Sequence, residues 1–103
     1  MLKFKPGVQL TITEAINKIL DGVNLAYLGF NVPCVVTSGS DGKHMKQSKH
    51  YTNEALDFRI SDIQPQDLQP IVKACKEILG KDFDVVLEGN HLHVEYDPKV
   101  KGK

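Results

Sequence analysis

Apolar residues recur every three or four positions in the first third of the chain, the spacing that places side chains on one face of a helix. The stretch Thr11-Ile-Thr-Glu14 has the form of a capping box, so we expect the helix to begin there. Gly29 predicts a left-handed residue that ends it after Leu28. The apolar face consists of Ile12, Ala15, Ile16, Ile19, Leu20 and Val23.

A second stretch with helical spacing lies in the last third of the chain. Asp67 is a suitable N-cap, Pro70 would be tolerated in the first turn, and Gly80 is placed to end the helix. The apolar face consists of Leu68, Ile71, Val72, Cys75, Ile78 and Leu79.

Other segments have the patterns of β-strands. Residues 34–37 form a short, β-branched apolar run, and residues 55–60 alternate between apolar and polar. Residues 83–88 and 91–96 also alternate, and the Gly-Asn between them is a signal for a two-residue hairpin. The sequence therefore predicts an α+β fold in which an antiparallel sheet of about four strands packs one face on two helices.

The predicted hairpin places polar residues together on the other face of the sheet. A two-residue loop pairs Glu88 with His91, and the alternation of side chains adds His93 and Glu95 to the same face. Asp57 occupies the corresponding polar face of the strand at 55–60. A hydrophobic core would not accept so many carboxylates and imidazoles, so this face is a candidate for chemistry.

Length and charge exclude several classes of protein. The chain has 103 residues, a length that suits one domain over residues 1–103. Its 13 Lys+Arg balance its 13 Asp+Glu, so there is no net charge to attract nucleic acid or anionic lipid. We expect no membrane span and no secretory signal peptide, and hence a cytoplasmic protein. Cys34 and Cys75 fall at apolar positions and predict buried thiols in a reducing compartment. Residues 98–103 predict a flexible basic tail.

Imidazoles and a carboxylate on one face suit Zn²⁺. The candidates are His50, Asp57, His91 and His93, and a catalytic zinc needs three protein ligands with one position open. Taken singly, each residue has the ordinary alternative of a solvated surface side chain.

Two motifs in this order resemble those of the zinc D-alanyl-D-alanine metallopeptidases, a family that includes bacterial carboxypeptidases, phage endolysins and the hedgehog-like fold. Residues 48–57 fit the pattern S-x-H-x-x-G-x-A-x-D after a Thr-Ser-Gly strand end, and residues 91–93 fit H-x-H. Asn53 replaces the glycine of the pattern, and asparagine is the non-glycine residue that best tolerates the same positive φ. The matching residues are Ser48, His50, Ala55, Asp57, His91 and His93.

The resemblance implies a role for each matched residue. It makes His50, Asp57 and His93 the zinc ligands, in a zinc cleft on the sheet face opposite the helices. His91 would orient substrate or support the transition state. Glu88 would be the general base, with Glu95 and Asp97 as alternatives.

The resemblance also implies the substrate. Ser48 would contact it, and His44, Lys46 or Lys43 would supply the positive charge that an arginine provides in the family. The expected function is hydrolysis of the peptide stem or cross-bridge of bacterial peptidoglycan by a monomer, released to the cell wall during phage lysis if the protein is an endolysin. The alternatives are a non-catalytic zinc-binding or interaction domain of the same fold and an α+β domain without metal.

Overall fold

The computed structural model describes residues 2–40 and 53–98, which form two helices and one five-stranded sheet. The elements in chain order are β1 (Leu2–Phe4), α1 (Glu14–Gly29), β2 (Cys34–Ser38), β3 (Ala55–Arg59), α2 (Pro65–Leu79), β4 (Phe83–Glu88) and β5 (His91–Tyr96). The predicted α+β class is confirmed. Within the described residues, no helix combines the length and apolar character needed to cross a membrane.

The sheet has one strand more than predicted. Its order is β1-β2-β3-β5-β4, with β1 parallel to β2 and every other neighbouring pair antiparallel. β1 pairs Leu2 with Cys34, and the Lys5 amide then donates to the Val36 carbonyl at 2.8 Å. A three-residue edge strand held by its backbone has too few side chains to show a period, so the sequence did not reveal it.

Helix α1 begins later than the capping-box pattern predicts. Thr13 is the N-cap, and its Oγ1 accepts a hydrogen bond from the Ile16 amide at 3.0 Å. Thr11 has another partner, because its amide donates to Asn53 Oδ1 at 2.9 Å. Asn53 has φ 57°, the left-handed conformation that asparagine adopts more readily than most other non-glycine residues. Because Thr11 contacts Asn53 in this way, the N-cap of the helix is Thr13 and not Thr11.

Of the other three helix boundaries, two differ from the prediction and one agrees with it. Gly29 is the last residue of α1, and the positive φ of 59° falls on Asn31 instead. Helix α2 begins at Pro65, two residues before the predicted cap at Asp67, because proline has the helical φ and needs no amide partner at the first position. Pro70 consequently lies inside the helix, beyond its first turn. Gly80 ends α2 as predicted, with φ 88°.

The core lies between the helices and one sheet face, and two glycines mark where backbone must approach closely. A Cβ on Gly22 of α1 would lie 2.6 Å from Leu79 Cδ2 of α2. A Cβ on Gly39, after β2, would collide with the Gln9 carbonyl oxygen. The largest fully buried side chains include Tyr27, Phe58, Ile16, Ile19, Leu56, Ile71 and Leu92.

The two cysteines are free thiols in this core. Cys34 and Cys75 are both 0% exposed, as the sequence predicts. Burial raises the pKa of each thiol to about 12, because the protein interior disfavours the thiolate.

Candidate metal and catalytic site

Three strands bring the polar residues to one sheet face. In the β4–β5 hairpin Glu88 pairs with His91 and Val86 with His93, as the Gly-Asn turn predicts. On the other side of β5, Asp57 of β3 pairs with His93. Paired residues of neighbouring strands place their side chains on the same face, so Asp57, His91 and His93 are neighbours in space.

His93 lies between two carboxylates. Its Nδ1 is 2.9 Å from Asp57 Oδ1, and its Nε2 is 2.9 Å from Glu95 Oε1. Asp57 is buried, with 8% of the residue exposed. The hydrogen bond to Asp57 and the contact with Glu95 together outweigh desolvation and raise the pKa of His93 to about 9. The imidazole of the metal-free protein therefore stays protonated well above neutral pH.

His91 links Asp57 to the end of the hairpin. Its Nε2 is 3.0 Å from Glu88 Oε1 and 3.7 Å from Asp57 Oδ1, and its Nδ1 is 2.9 Å from Asn90 Oδ1. The Glu88 side chain is half exposed, so solvent reaches this end of the site. The same Asp57 oxygen, Oδ1, is therefore close to both imidazoles.

Four of the predicted site residues thus lie together: Asp57, Glu88, His91 and His93. The remaining predicted residues, His44, Lys46, Ser48 and His50, lie outside the described ranges, as do Lys43 and residues 99–103 of the predicted tail. Arg59 lies on the same sheet face and forms an ion pair with Asp62 at 3.7 Å.

The described residues also include an acidic group that sequence reasoning missed. Oxygens of Asp84, Glu95 and Asp97 all lie within 4.8 Å of one another, so the group could hold a metal ion. A set of oxygen ligands suits hard cations such as Ca²⁺ or Mg²⁺. Asp84 pairs with Glu95 in the hairpin register, a neighbourhood that the predicted turn already implied.

The donors around Asp57 fit zinc better than the acidic group does, since zinc accepts imidazole nitrogen together with carboxylate oxygen. Two ligand atoms on one tetrahedral zinc lie about 3.3 Å apart, given bonds of about 2.0–2.1 Å. His93 Nδ1 and Asp57 Oδ1 are 2.9 Å apart, so a small displacement of either side chain would suit them to one ion.

Arranged along the face, the carboxylates and imidazoles form a continuous series of close contacts. Each neighbouring pair in it lies 2.9–3.7 Å apart. The series is Glu88, His91, Asp57, His93 and Glu95. Such an arrangement can bind a cation at its buried centre and exchange protons with solvent at its exposed end.

Comparison with known protein-family models gives no match to this chain. Comparison with curated proteins gives no match either.

Proposed function

We propose that this protein is a zinc-dependent peptidase that hydrolyses the peptide stem or cross-bridge of bacterial peptidoglycan. The observation that carries the proposal is the buried Asp57 carboxylate, 2.9 Å from His93 Nδ1 and 3.7 Å from His91 Nε2. A buried carboxylate among imidazoles is a donor set that zinc accepts. The two-motif resemblance to zinc D-alanyl-D-alanine metallopeptidases supplies the substrate class.

In this proposal His50, Asp57 and His93 hold the zinc. When bound, zinc lowers the pKa of water to about 7 and polarises a carbonyl group. The sheet contributes rigidity, because two of the three ligands belong to paired positions of adjacent strands. Ligands on paired strands keep their spacing without help from a loop.

Glu88 is the general base of the proposed reaction. Its half-exposed carboxylate can accept a proton from the attacking water and return it to the leaving amine. His91 Nε2, 3.0 Å from Glu88 Oε1, orients that carboxylate and can donate to the developing oxyanion. Proton transfer of this kind typically contributes about 10²–10⁴-fold to the rate.

Substrate would be bound by residues of the segment before β3. Ser48 contacts the peptide, and the positive charge comes from His44, Lys46 or Lys43. The protein acts as a monomer on a cell-wall peptide, as an endopeptidase or a carboxypeptidase.

Digestion of purified peptidoglycan, followed by mass spectrometry of the products, tests the activity and identifies the bond. Asp57→Ala is expected to lose zinc and hydrolysis together, and Glu88→Gln to keep zinc and lose turnover. Glu77→Gln, on the exposed side of α2, is the matched control and is expected to behave as wild type. Undiminished hydrolysis by Asp57→Ala would remove the basis of the proposal.

One observation favours a second function, a non-catalytic zinc-binding domain. His91 Nε2 is close enough to Asp57 that His91 could become a fourth protein ligand, and structural zinc sites have four. In that case His91→Ala would release zinc, whereas in the peptidase it would lower turnover with zinc retained. Measured zinc content of the His91→Ala protein therefore separates the two functions.

A further inference from the structure

The two ring nitrogens of His93 face different carboxylates. Nδ1 lies 2.9 Å from Asp57 Oδ1, across the β3–β5 pairing, and Nε2 lies 2.9 Å from Glu95 Oε1, two residues along β5. The side chains are partly enclosed, with 15% of His93 and 24% of Glu95 exposed. An imidazole held at both nitrogens has one ring orientation available to it.

We infer that Glu95 is the positioning residue for the zinc ligand His93. Glu95 accepts the hydrogen bond from Nε2–H and keeps Nδ1 directed toward Asp57, so Nδ1 is the nitrogen that would exchange its proton for the metal. The inference rests on the proposed function, because it assigns the second partner of a proposed ligand. Histidine ligands commonly donate their other ring N–H to a carboxylate, which fixes the tautomer and increases ligand basicity.

Strand geometry makes Glu95 suited to this role. Residues i and i+2 of a strand lie on the same face, so Glu95 reaches His93 without any contribution from a loop. Asp57 is on the opposite side of the ring and cannot hold Nε2 at the same time. The role assigned to Glu95 is to orient His93 through this contact.

The same carboxylate belongs to the acidic group with Asp84 and Asp97, which offers a competing account of any effect of Glu95 on metal binding. In that account Glu95 binds the ion directly or acts through its charge alone. Asp84 is the discriminating residue, since it pairs with Glu95 in the hairpin register and carries the same charge, whereas the 2.9 Å contact with His93 Nε2 belongs to Glu95.

The experiment measures zinc affinity of the 103-residue protein by competition with a chromophoric chelator. Glu95→Ala is expected to weaken zinc binding about 10–100-fold, the usual effect of removing such a partner. Glu95→Gln keeps an acceptor oxygen and is expected to recover part of that loss. Asp84→Asn and Glu77→Gln are expected to bind zinc as the wild-type protein does.

Cobalt(II) substitution and thermal melting give readouts independent of hydrolysis. The visible absorption of the cobalt protein reports its coordination, and Glu95→Ala is expected to alter that spectrum while the metal-free proteins melt at similar temperatures. A lowered melting temperature with an unchanged cobalt spectrum would mean that Glu95 is structural and would overturn the inference.

The remaining outcomes separate this inference from the proposed function. Wild-type protein that binds no zinc would refute both. Zinc binding that is lost in His93→Ala but unchanged in Glu95→Ala would refute the positioning role alone. Equal weakening by Asp84→Asn and Glu95→Gln would show that the acidic group acts as a unit, which also overturns the assignment to His93.

Discussion

The pH dependence of stability in the metal-free protein tests the contacts of His93 directly. The folded protein raises the pKa of this imidazole to about 9 from an ordinary value of 6.5, chiefly through the hydrogen bond to Asp57. A raised pKa means that folding favours the protonated form. The contribution is fully present below pH 6.5 and is lost as the pH rises through 9.

The size of this contribution follows from the shift. Each pKa unit corresponds to about 1.4 kcal/mol, so the contacts of His93 stabilise the folded state by up to about 3 kcal/mol at low pH. Screening by solvent is limited because the His93 side chain is 15% exposed. A histidine buried without carboxylates would behave oppositely and lose stability as the pH falls.

Urea denaturation in the presence of a chelator, from about pH 6 to about pH 9.5, measures the effect. Other groups also titrate over this range, so the quantity of interest is the difference between wild type and His93→Gln. We expect the wild-type advantage to shrink steadily as the pH rises. A difference that stays constant, or that grows with pH, would refute the assignment of a protonated His93 between two carboxylates.

Three further changes test the fold and its core. Gly39→Ala is expected to destabilise the protein by about 1–3 kcal/mol in urea denaturation, because the new Cβ meets a backbone carbonyl. Gly29→Ala meets nothing within 4 Å and serves as its control, and equal effects of the two would contradict the crowding. Cys34 and Cys75 are expected to resist a thiol reagent until the protein unfolds, because a pKa of about 12 leaves about one thiol in 10⁴ ionised at pH 8. Prompt labelling of the native protein would contradict this expectation and show that the thiols are accessible. Thr13→Ala is expected to lower the free energy of unfolding by about 1 kcal/mol through loss of the helix cap, and an unchanged value would argue against Thr13 as the N-cap.

The part of the site on the hairpin was predictable from the sequence because a two-residue turn and strict alternation leave one register. That register placed Glu88, His91 and His93 on one face, and the structure confirms it. The position of Asp57 beside His93 depends on the order of strands in the sheet, which periodicity does not specify. Alternation along residues 55–60 placed Asp57 on the polar face, and the resemblance of residues 48–57 to a family motif supported grouping it with His93.

Other features of the fold and the site could not be predicted from the sequence, each for a physical reason. β1 is short and is held by backbone pairing, so it leaves no side-chain pattern. The start of α1 is decided by a contact with Asn53, 42 residues from Thr11 along the chain, and local capping rules do not include such contacts. The acidic group needs Asp97, which lies beyond the end of β5, where strand alternation no longer predicts direction.

The two-residue turn between β4 and β5 also bears on how the site forms during folding. This hairpin carries four residues of the site: Glu88, His91, His93 and Glu95. Closing so short a loop costs little conformational entropy, and hairpins form in about 1–10 μs. Asp57 is 36 residues from His93 in sequence and joins only when β3 docks against β5. A long-range contact of this kind forms more slowly, so completion of the metal-binding pair marks the docking of the central strand.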